Sequence, residues 1–251
     1  MKRVLFFLYQ LCIWFPVFLV LTVLTALSTM IGCMFNQRIF SYYPGMLWSK
    51  SACILGLCPV KITGREKLNK QQSYIFAANH QGAYDIFLMF GYLGQPIKWV
   101  MKQSLRNLPL IGKACESSGF IFVDNSSPQA AARTIALAEK QLKNGASIAI
   151  FPEGSRSKTG KLGSFKKGAY LMALNLRLPI VPVTINGTFE VMRSGTFLLN
   201  PHTIELIIHD PIPAVEIENH DIRAVASKIK ELSEQSRKAI ENELWEKYRE
   251  L

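Results

Sequence analysis

The stretch Asn79-His80-Gln81-Gly82-Ala83-Tyr84-Asp85 places a histidine and an aspartate five positions apart. A neutral imidazole can take the proton from a hydroxyl as that hydroxyl attacks a carbonyl carbon. A carboxylate on the other ring nitrogen would fix the tautomer and stabilise the imidazolium that forms. On a regular helix five residues turn about 140° past a full circle, so the two side chains would not share a face. Contact therefore requires a turn between them. Gly82 can supply it, with Asp85 in the first turn of the helix that follows. The competing reading is a structural histidine capping that helix. A second block, Phe151-Pro152-Glu153-Gly154-Ser155-Arg156-Ser157, lies seventy residues on. Pro152 and Gly154 shape a tight loop, and Gly154 would let a ligand approach the backbone. Arg156 offers a planar fork for phosphate oxygens. Glu153 can accept a hydrogen bond or hold the loop in place. Taken alone, the block is equally a surface turn with a solvated Glu–Arg pair.

Both blocks follow apolar runs that read as strands. SYIFAAN precedes His80, and SIAIF leads into Pro152. In open α/β sheets, sites sit at the carboxyl ends of strands. CPVKITG, KWVMK, FIFVD, LPIVPVTIN and TIELIIHD read as further strands, and the continuous apolar runs among them suit strands covered on both faces. Between them, DIFLMFGYL and PLIGKACESSG read as helices. SPQAAARTIALAEKQLKNG is a third, with a serine cap, proline at its first position and a terminal glycine. Residues 221–251 form a charged amphipathic helix. Strands alternating with helices predict an α/β fold with a mostly parallel sheet flanked by helices, spanning residues 59–251. No internal repeat or low-complexity linker interrupts it.

Residues 1–58 have a different character. After Lys2 and Arg3 no charge appears until Arg38. A bilayer core needs about 20 apolar residues of helix, and this run is longer. It also exceeds the roughly 7–15 apolar residues of a signal peptide and ends in bulky residues. Pro16 is placed to kink the helix. A second segment, IFSYYPGMLWSKSACILGLCPV, suits an interfacial or re-entrant helix, with Tyr42, Tyr43 and Trp48 at headgroup level. Together they predict a membrane-associated helical hairpin. Lys61, Arg65 and Lys67 follow it directly, which favours a domain on the cytoplasmic face.

The net charge is +11, so an anionic partner is expected: nucleic acid, an anionic membrane or a phosphate-bearing substrate. No nucleic-acid-binding motif appears, and a membrane element argues against that class. The five cysteines, at 12, 33, 53, 58 and 115, form no C-x-x-C pair, so neither a disulfide framework nor a metal site is expected. Cys115 has no neighbouring base and no G-x-S-x-G occurs, which leaves covalent catalysis without a candidate. His202, His209 and His220 have no partner spacing and read as structural. The cluster Lys158, Lys161, Lys166 and Lys167 could hold anionic lipid, at about 1 kcal/mol per residue near the surface. It could equally meet a donor's phosphates or form a solvated loop.

Taken together, NHQGAYD and FPEGSR resemble the glycerophospholipid acyltransferase family, best known as 1-acylglycerol-3-phosphate (lysophosphatidic acid) acyltransferases. GFIFVDN (119–125) and LPIVPV (178–183) resemble the family's middle and final blocks, so the resemblance covers about residues 60 to 210. It implies a membrane-bound enzyme of phospholipid biosynthesis. His80 would deprotonate the free hydroxyl of a lysophospholipid, and Asp85 would orient His80. The hydroxyl oxygen would attack an acyl thioester, releasing coenzyme A or acyl carrier protein and giving phosphatidic acid. Lys102, Glu153, Gly154 and Arg156 would bind the acceptor's glycerol-phosphate end. Acyl-coenzyme A or acyl carrier protein enters as co-substrate, and no cofactor is implied. Two positions depart from the family pattern. Asn125 stands where an arginine is usual after Asp124, and Ser104 stands where a glutamate is usual after the lysine. Both lie near the implied head-group pocket. They leave room for another lysophospholipid or a lyso-aminolipid as acceptor, or for an idle lipid-binding homologue.

Overall fold

Ile75–Ala78 (β2) and Ile180–Asn186 (β6) are buried at every residue, as expected of strands covered on both faces. The structure of the chain, a computed structural model, describes residues 2–123, 128–142, 145–215 and 222–249. Asp124, Asn125 and His220 lie outside these described residues. In chain order the elements are α1 (Lys2–Tyr9), a π-helical turn (Gln10–Trp14), α2 (Phe15–Phe35), α3 (Gln37–Phe40), α4 (Tyr43–Leu55) and β1 (Val60–Thr63). After β2 come α5 (Tyr84–Tyr92), β3 (Ile97–Lys102), α6 (Ile111–Ser117), β4 (Ile121–Val123), α7 (Pro128–Leu142) and β5 (Ser147–Ile150). The remainder is α8 (Gly168–Leu176), β6, α9 (Thr188–Val191), β7 (Ile204–Ile208) and α10 (Ile222–Glu243). The helix expected over 221–251 thus ends at Glu243, and Leu244 and Tyr248 beyond it pack with Leu162 and Phe189.

The strands form one seven-stranded sheet in the order β1-β7-β6-β2-β5-β3-β4. Every pairing is parallel except β6 with β7. Strand side chains alternate between faces. Phe76, Ala78, Ala149, Val181 and Val183 pack on one side with Tyr84, Leu88 and Met89 of α5. Ile75, Ala77, Ile148 and Ile180 pack on the other with Tyr170 of α8, Ala138 of α7 and Ile229 of α10. The chain therefore leaves the end of β2 over one face and leaves β5 towards α8 over the other. Where such adjacent parallel strands part, a crevice opens at their carboxyl ends.

The amino-terminal helices join the first of these cores. Trp14, Tyr42 and Cys53 lie in the same cluster as Leu88 and Phe76. A hairpin forms as the sequence implies: Trp48 Nε1 donates to Thr22 Oγ1 at 2.9 Å, and Tyr9 Oη donates to the Leu55 carbonyl at 2.9 Å. Two of the aromatics expected at headgroup level have another use. Tyr42 is buried, and Trp48 packs between Phe18 and Phe87. Only Tyr43 of the three is exposed. Val4–Phe35 runs 32 residues, is apolar enough to cross a membrane, and leaves most of its side chains outside the protein. Pro16 cannot donate a backbone hydrogen bond, and the turn before it widens, with the Phe15 N–H reaching the Gln10 carbonyl. Such π-turns absorb the misfit that proline causes in a helix.

Lys98 of β3 fastens this assembly to the sheet. It is 5% exposed, and its ammonium donates to Ser41 Oγ at 2.7 Å and to the Ser118 carbonyl at 2.6 Å. Burial lowers its pKa to about 8. The unfolded chain then holds this proton more tightly, so stability rises with pH from about 8 to the ordinary lysine value and is lost as pH falls back through about 8. Cysteines and tyrosines whose pKa burial raises, such as Cys115 and Tyr170, pull stability the other way in both proteins. The difference in melting temperature between the parent and the Lys98→Met variant in detergent should therefore shift in the parent's favour across that window; a constant difference would remove Lys98 as a source of pH dependence.

Candidate active site

His80 follows β2 by two residues, and Asp85 sits in the first turn of α5. The five-residue spacing closes: His80 Nδ1 lies 2.7 Å from Asp85 Oδ2. That same oxygen accepts the backbone N–H of Gln81 at 2.7 Å and of Gly82 at 2.9 Å. Three donors converging on one fully buried carboxylate oxygen require it to act as acceptor, so Nδ1 carries the proton. Nε2 is left with its lone pair and makes no hydrogen bond among the described residues. A base with its tautomer fixed in this way is arranged to accept a proton from a hydroxyl.

Gly82 enables the turn for a different reason from the one expected. Its φ is not positive. A Cβ there would stand 2.5 Å from the Thr188 carbonyl and 2.8 Å from the Met192 carbonyl. The requirement is close passage between two backbones, while the left-handed freedom of glycine goes unused. Asn79 repairs the sheet at this point. It donates to the Ile185 carbonyl at 2.8 Å and accepts the Ile185 N–H at 2.7 Å, bridging to β6 just as the main-chain ladder ends.

The second block meets the first because β2 and β5 are parallel neighbours with their carboxyl ends at one edge. Glu153, 8% exposed, accepts the His80 N–H on Oε1 at 2.7 Å and the Gly163 N–H on Oε2 at 2.8 Å. The Ser157 N–H returns to the His80 carbonyl at 2.8 Å, and Gln81 Nε2 donates to the Gly160 carbonyl at 2.9 Å. Both oxygens of Glu153 are thus engaged with backbone, so it clamps the second loop to the end of β2. Burial raises its pKa, opposed by those two amides and by His80.

Gly154 does adopt the left-handed region, at φ +73°, and a Cβ on it would stand 2.7 Å from the Lys166 ammonium. Arg156 is exposed and makes no ion pair or hydrogen bond among the described residues. It lines an open depression of about 420 Å³ with Ser155, Ser157, Thr159 and Lys161. Lys102 ends β3, the other neighbour of β5, so its backbone lies at the same sheet edge. It too is exposed. The edge thus carries a half-buried, oriented imidazole and, beside it, an open cationic surface. His209 and His202 stand apart from it: His209 Nε2 lies 2.8 Å from Thr184 Oγ1, and His202 Nδ1 lies 2.8 Å from the Thr203 carbonyl.

Phe151 and Trp99 serve the site in a way that no motif or spacing in the sequence announces. The His80 ring stacks on Phe151 with centroids 3.8 Å apart and planes 6° off parallel, and Phe151 stacks in turn on Trp99 at 5.2 Å. An aromatic directly after a buried strand, beside the loop that clamps the histidine, was the available signal. The stack restrains the plane of the imidazole and adds to the hold that Asp85 has on Nδ1.

Comparison with known proteins agrees with this geometry. A family model described as Acyltransferase matches residues 59–186, from β1 to the end of β6. The chloroplastic 1-acyl-sn-glycerol-3-phosphate acyltransferase of Arabidopsis thaliana is 34% identical over 178 residues, covering 70% of this chain and 49% of that protein. The 1-acyl-sn-glycerol-3-phosphate acyltransferase of Borreliella burgdorferi is 30% identical over 185 residues, covering 72% and 74%. The chain spans about half the length of the Arabidopsis protein and of its chloroplastic counterpart in Brassica napus. The crystal structure of the 1-acyl-sn-glycerophosphate acyltransferase of Thermotoga maritima superposes with a TM-score of 0.76 at 24% identity, covering 98% of this chain and 99% of that one, which establishes a shared fold. A matched segment that opens at β1, closes at the end of β6 and encloses both the His80–Asp85 pair and the Glu153 clamp places this chain in the acyltransferase family.

Proposed function

We propose that the protein is a membrane-bound 1-acylglycerol-3-phosphate acyltransferase. The observation that carries this reading is the 2.7 Å contact between His80 Nδ1 and Asp85 Oδ2, which leaves Nε2 as a free base at the crevice. Nε2 takes the proton from the acceptor's hydroxyl as its oxygen attacks the thioester carbonyl. Asp85 stabilises the imidazolium. When the tetrahedral intermediate collapses, the carbon–sulfur bond breaks, and the departing thiolate takes that proton from His80. Ester and thiol are the products, and no acyl-enzyme forms. Arg156 and Lys102 bind the acceptor's phosphate. Glu153 and Gly154 contribute by shaping the loop that presents Arg156. The donor is acyl-coenzyme A or acyl carrier protein, and the reaction runs on the cytoplasmic face.

The test is transfer of a labelled acyl group from acyl-coenzyme A, and separately from acyl-acyl carrier protein, to lysophosphatidic acid by purified protein in vesicles, beside the His80→Ala variant. Product that depends on His80 supports the reading; none with either thioester donor rejects this acceptor. Arg156→Ala should raise KM for the acceptor by about ten- to a hundredfold, the worth of a charge-assisted hydrogen bond, and leave KM for the donor unchanged. An unaltered acceptor dependence would take Arg156 out of the site. Asn125 favours a second reading, in which another lysophospholipid or a lyso-aminolipid is the acceptor. Replacing lysophosphatidic acid with those lipids in the same assay decides between the two.

A further inference from the structure

The loop between α9 and β7 carries the most exposed aromatic side chain among the described residues. Phe197 is 87% exposed, and Leu198 beside it is 59% exposed. A soluble surface has no use for two adjacent apolar side chains displayed this fully at a loop tip. The loop is nevertheless well built. Leu199 is buried in the main core. The Thr196 N–H reaches the Arg193 carbonyl at 3.3 Å, the Leu198 N–H reaches Thr196 Oγ1 at 3.0 Å, and the Asn200 N–H reaches the Val191 carbonyl at 2.9 Å.

Two further contacts come from the apolar amino-terminal helix. Gln10, at the head of the π-turn, donates from Nε2 to the Phe197 carbonyl at 2.6 Å and accepts the Leu199 N–H on Oε1 at 3.1 Å. The amide therefore grips the loop backbone with both ends, across 187 and 189 residues of chain. Its neighbours Leu8, Leu11 and Ile13 are all exposed and apolar. A glutamine in such a helix would be costly in hydrocarbon with its amide unsatisfied. The loop satisfies it, and the glutamine satisfies the loop in return.

We infer that Phe197 and Leu198 insert into the lipid bilayer beside α1, making the 193–200 loop a second membrane-contacting element of the catalytic domain. Three features select hydrocarbon as the occupant. The apolar tip is continuous with the exposed face of a helix long enough to cross a bilayer. Six polar backbone groups of the loop, among them the Phe197 carbonyl and the Leu198 N–H, already have partners within the protein, which lowers the cost of bringing the tip into lipid. Arg193 lies at the base of the loop, its guanidinium 4.9 Å from the Phe189 ring, and suits an anionic headgroup layer. The inference rests on the placement of α1 and α2 in lipid and adds a fixed orientation. With the helix and the loop both held, the sheet edge that carries His80 cannot swivel freely about a single anchor.

The test uses the full chain in vesicles of phosphatidylglycerol and phosphatidylethanolamine doped with a diacyl lipid bearing a diazirine at mid-chain. After photolysis, labelled positions are mapped by mass spectrometry. Label at Phe197 or Leu198, at a level comparable to α2, is the expected result. The Gln10→Leu variant should lower the loop label at least about twofold while α2 keeps its own, since the grip is lost and the helix is not. Label on α2 with none on the loop overturns the inference and leaves the membrane reading standing. No label on either overturns both. Crosslinks from Phe197 to a second copy, in place of lipid adducts, would assign the loop to self-association and overturn the inference as well.

Discussion

The His80→Ala variant should lose at least about a hundredfold in acyl transfer, the lower end of what a positioned general base contributes. The loss should fall on kcat more than on KM for either substrate, because proton removal belongs to the transition state. Structure should survive. Asp85 Oδ2 keeps two backbone donors without the imidazole, and Glu153 holds the backbone N–H of residue 80 whatever side chain stands there. Circular dichroism and vesicle flotation should therefore match the parent. Near-parental turnover in this variant would refute the assignment of the base.

Asp85→Asn is the more discriminating change, and its outcome follows from one detail. Asp85 Oδ1 is buried and has no hydrogen-bond partner among the described residues, whereas Oδ2 receives three donors. An asparagine can therefore keep its carbonyl towards those donors and turn its amide to the vacant side. The tautomer of His80 would be preserved and only the negative charge lost. Kinetic loss then measures electrostatic stabilisation of the imidazolium alone. It should amount to about 10²- to 10⁴-fold in kcat, with the acceptor KM little changed. A drop of only a few-fold would mean that Asp85 acts by orientation and that its charge is dispensable. The amide has no acceptor on that side, so a modest fall in melting temperature should accompany the rate effect.

Much of the fold could be read from the chain because period and punctuation agreed. The apolar runs around Ile75, Ile148 and Ile180 became interior strands, and the serine–proline start of Ser127–Gly145 preceded a helix at Pro128–Leu142. α8 escaped notice. Its nine residues, Gly168–Leu176, carry no cap and bury Ala169, Tyr170, Met172 and Ala173 against two other helices and the sheet. With little polar stripe to set the period, such a run cannot be told from a strand. Spacing suggested that His80 and Asp85 could meet, but the physical role of Gly82 lay in carbonyls more than a hundred residues away. The same holds for Trp99, whose part in the ring stack depends on β3 lying beside β5. Glu153 was visible as a motif residue, whereas its commitment to two backbone amides is a property of the closed loop.

The ties between the two motif loops have an implication for how new specificities could arise. Glu153 and Gln81 each bond to main chain, and the Ser157 contact is main chain on both sides. Two side chains, Gln81 and Glu153, tie the loops in register, Gly160 at φ +82° and the Ser157 and Thr159 hydroxyls shape the turn they hold, and the Ser155, Arg156 and Lys161 side chains take no part in it. If the function is as proposed, acceptor recognition is thus separable from the chemical step. A recombinant that grafts a relative's 155–161 segment onto this chain, keeping Gln81, Glu153 and a glycine at 160, should inherit a new acceptor preference with the base undisturbed. Drift or selection could reach the same end one surface residue at a time, without passing through an inactive intermediate.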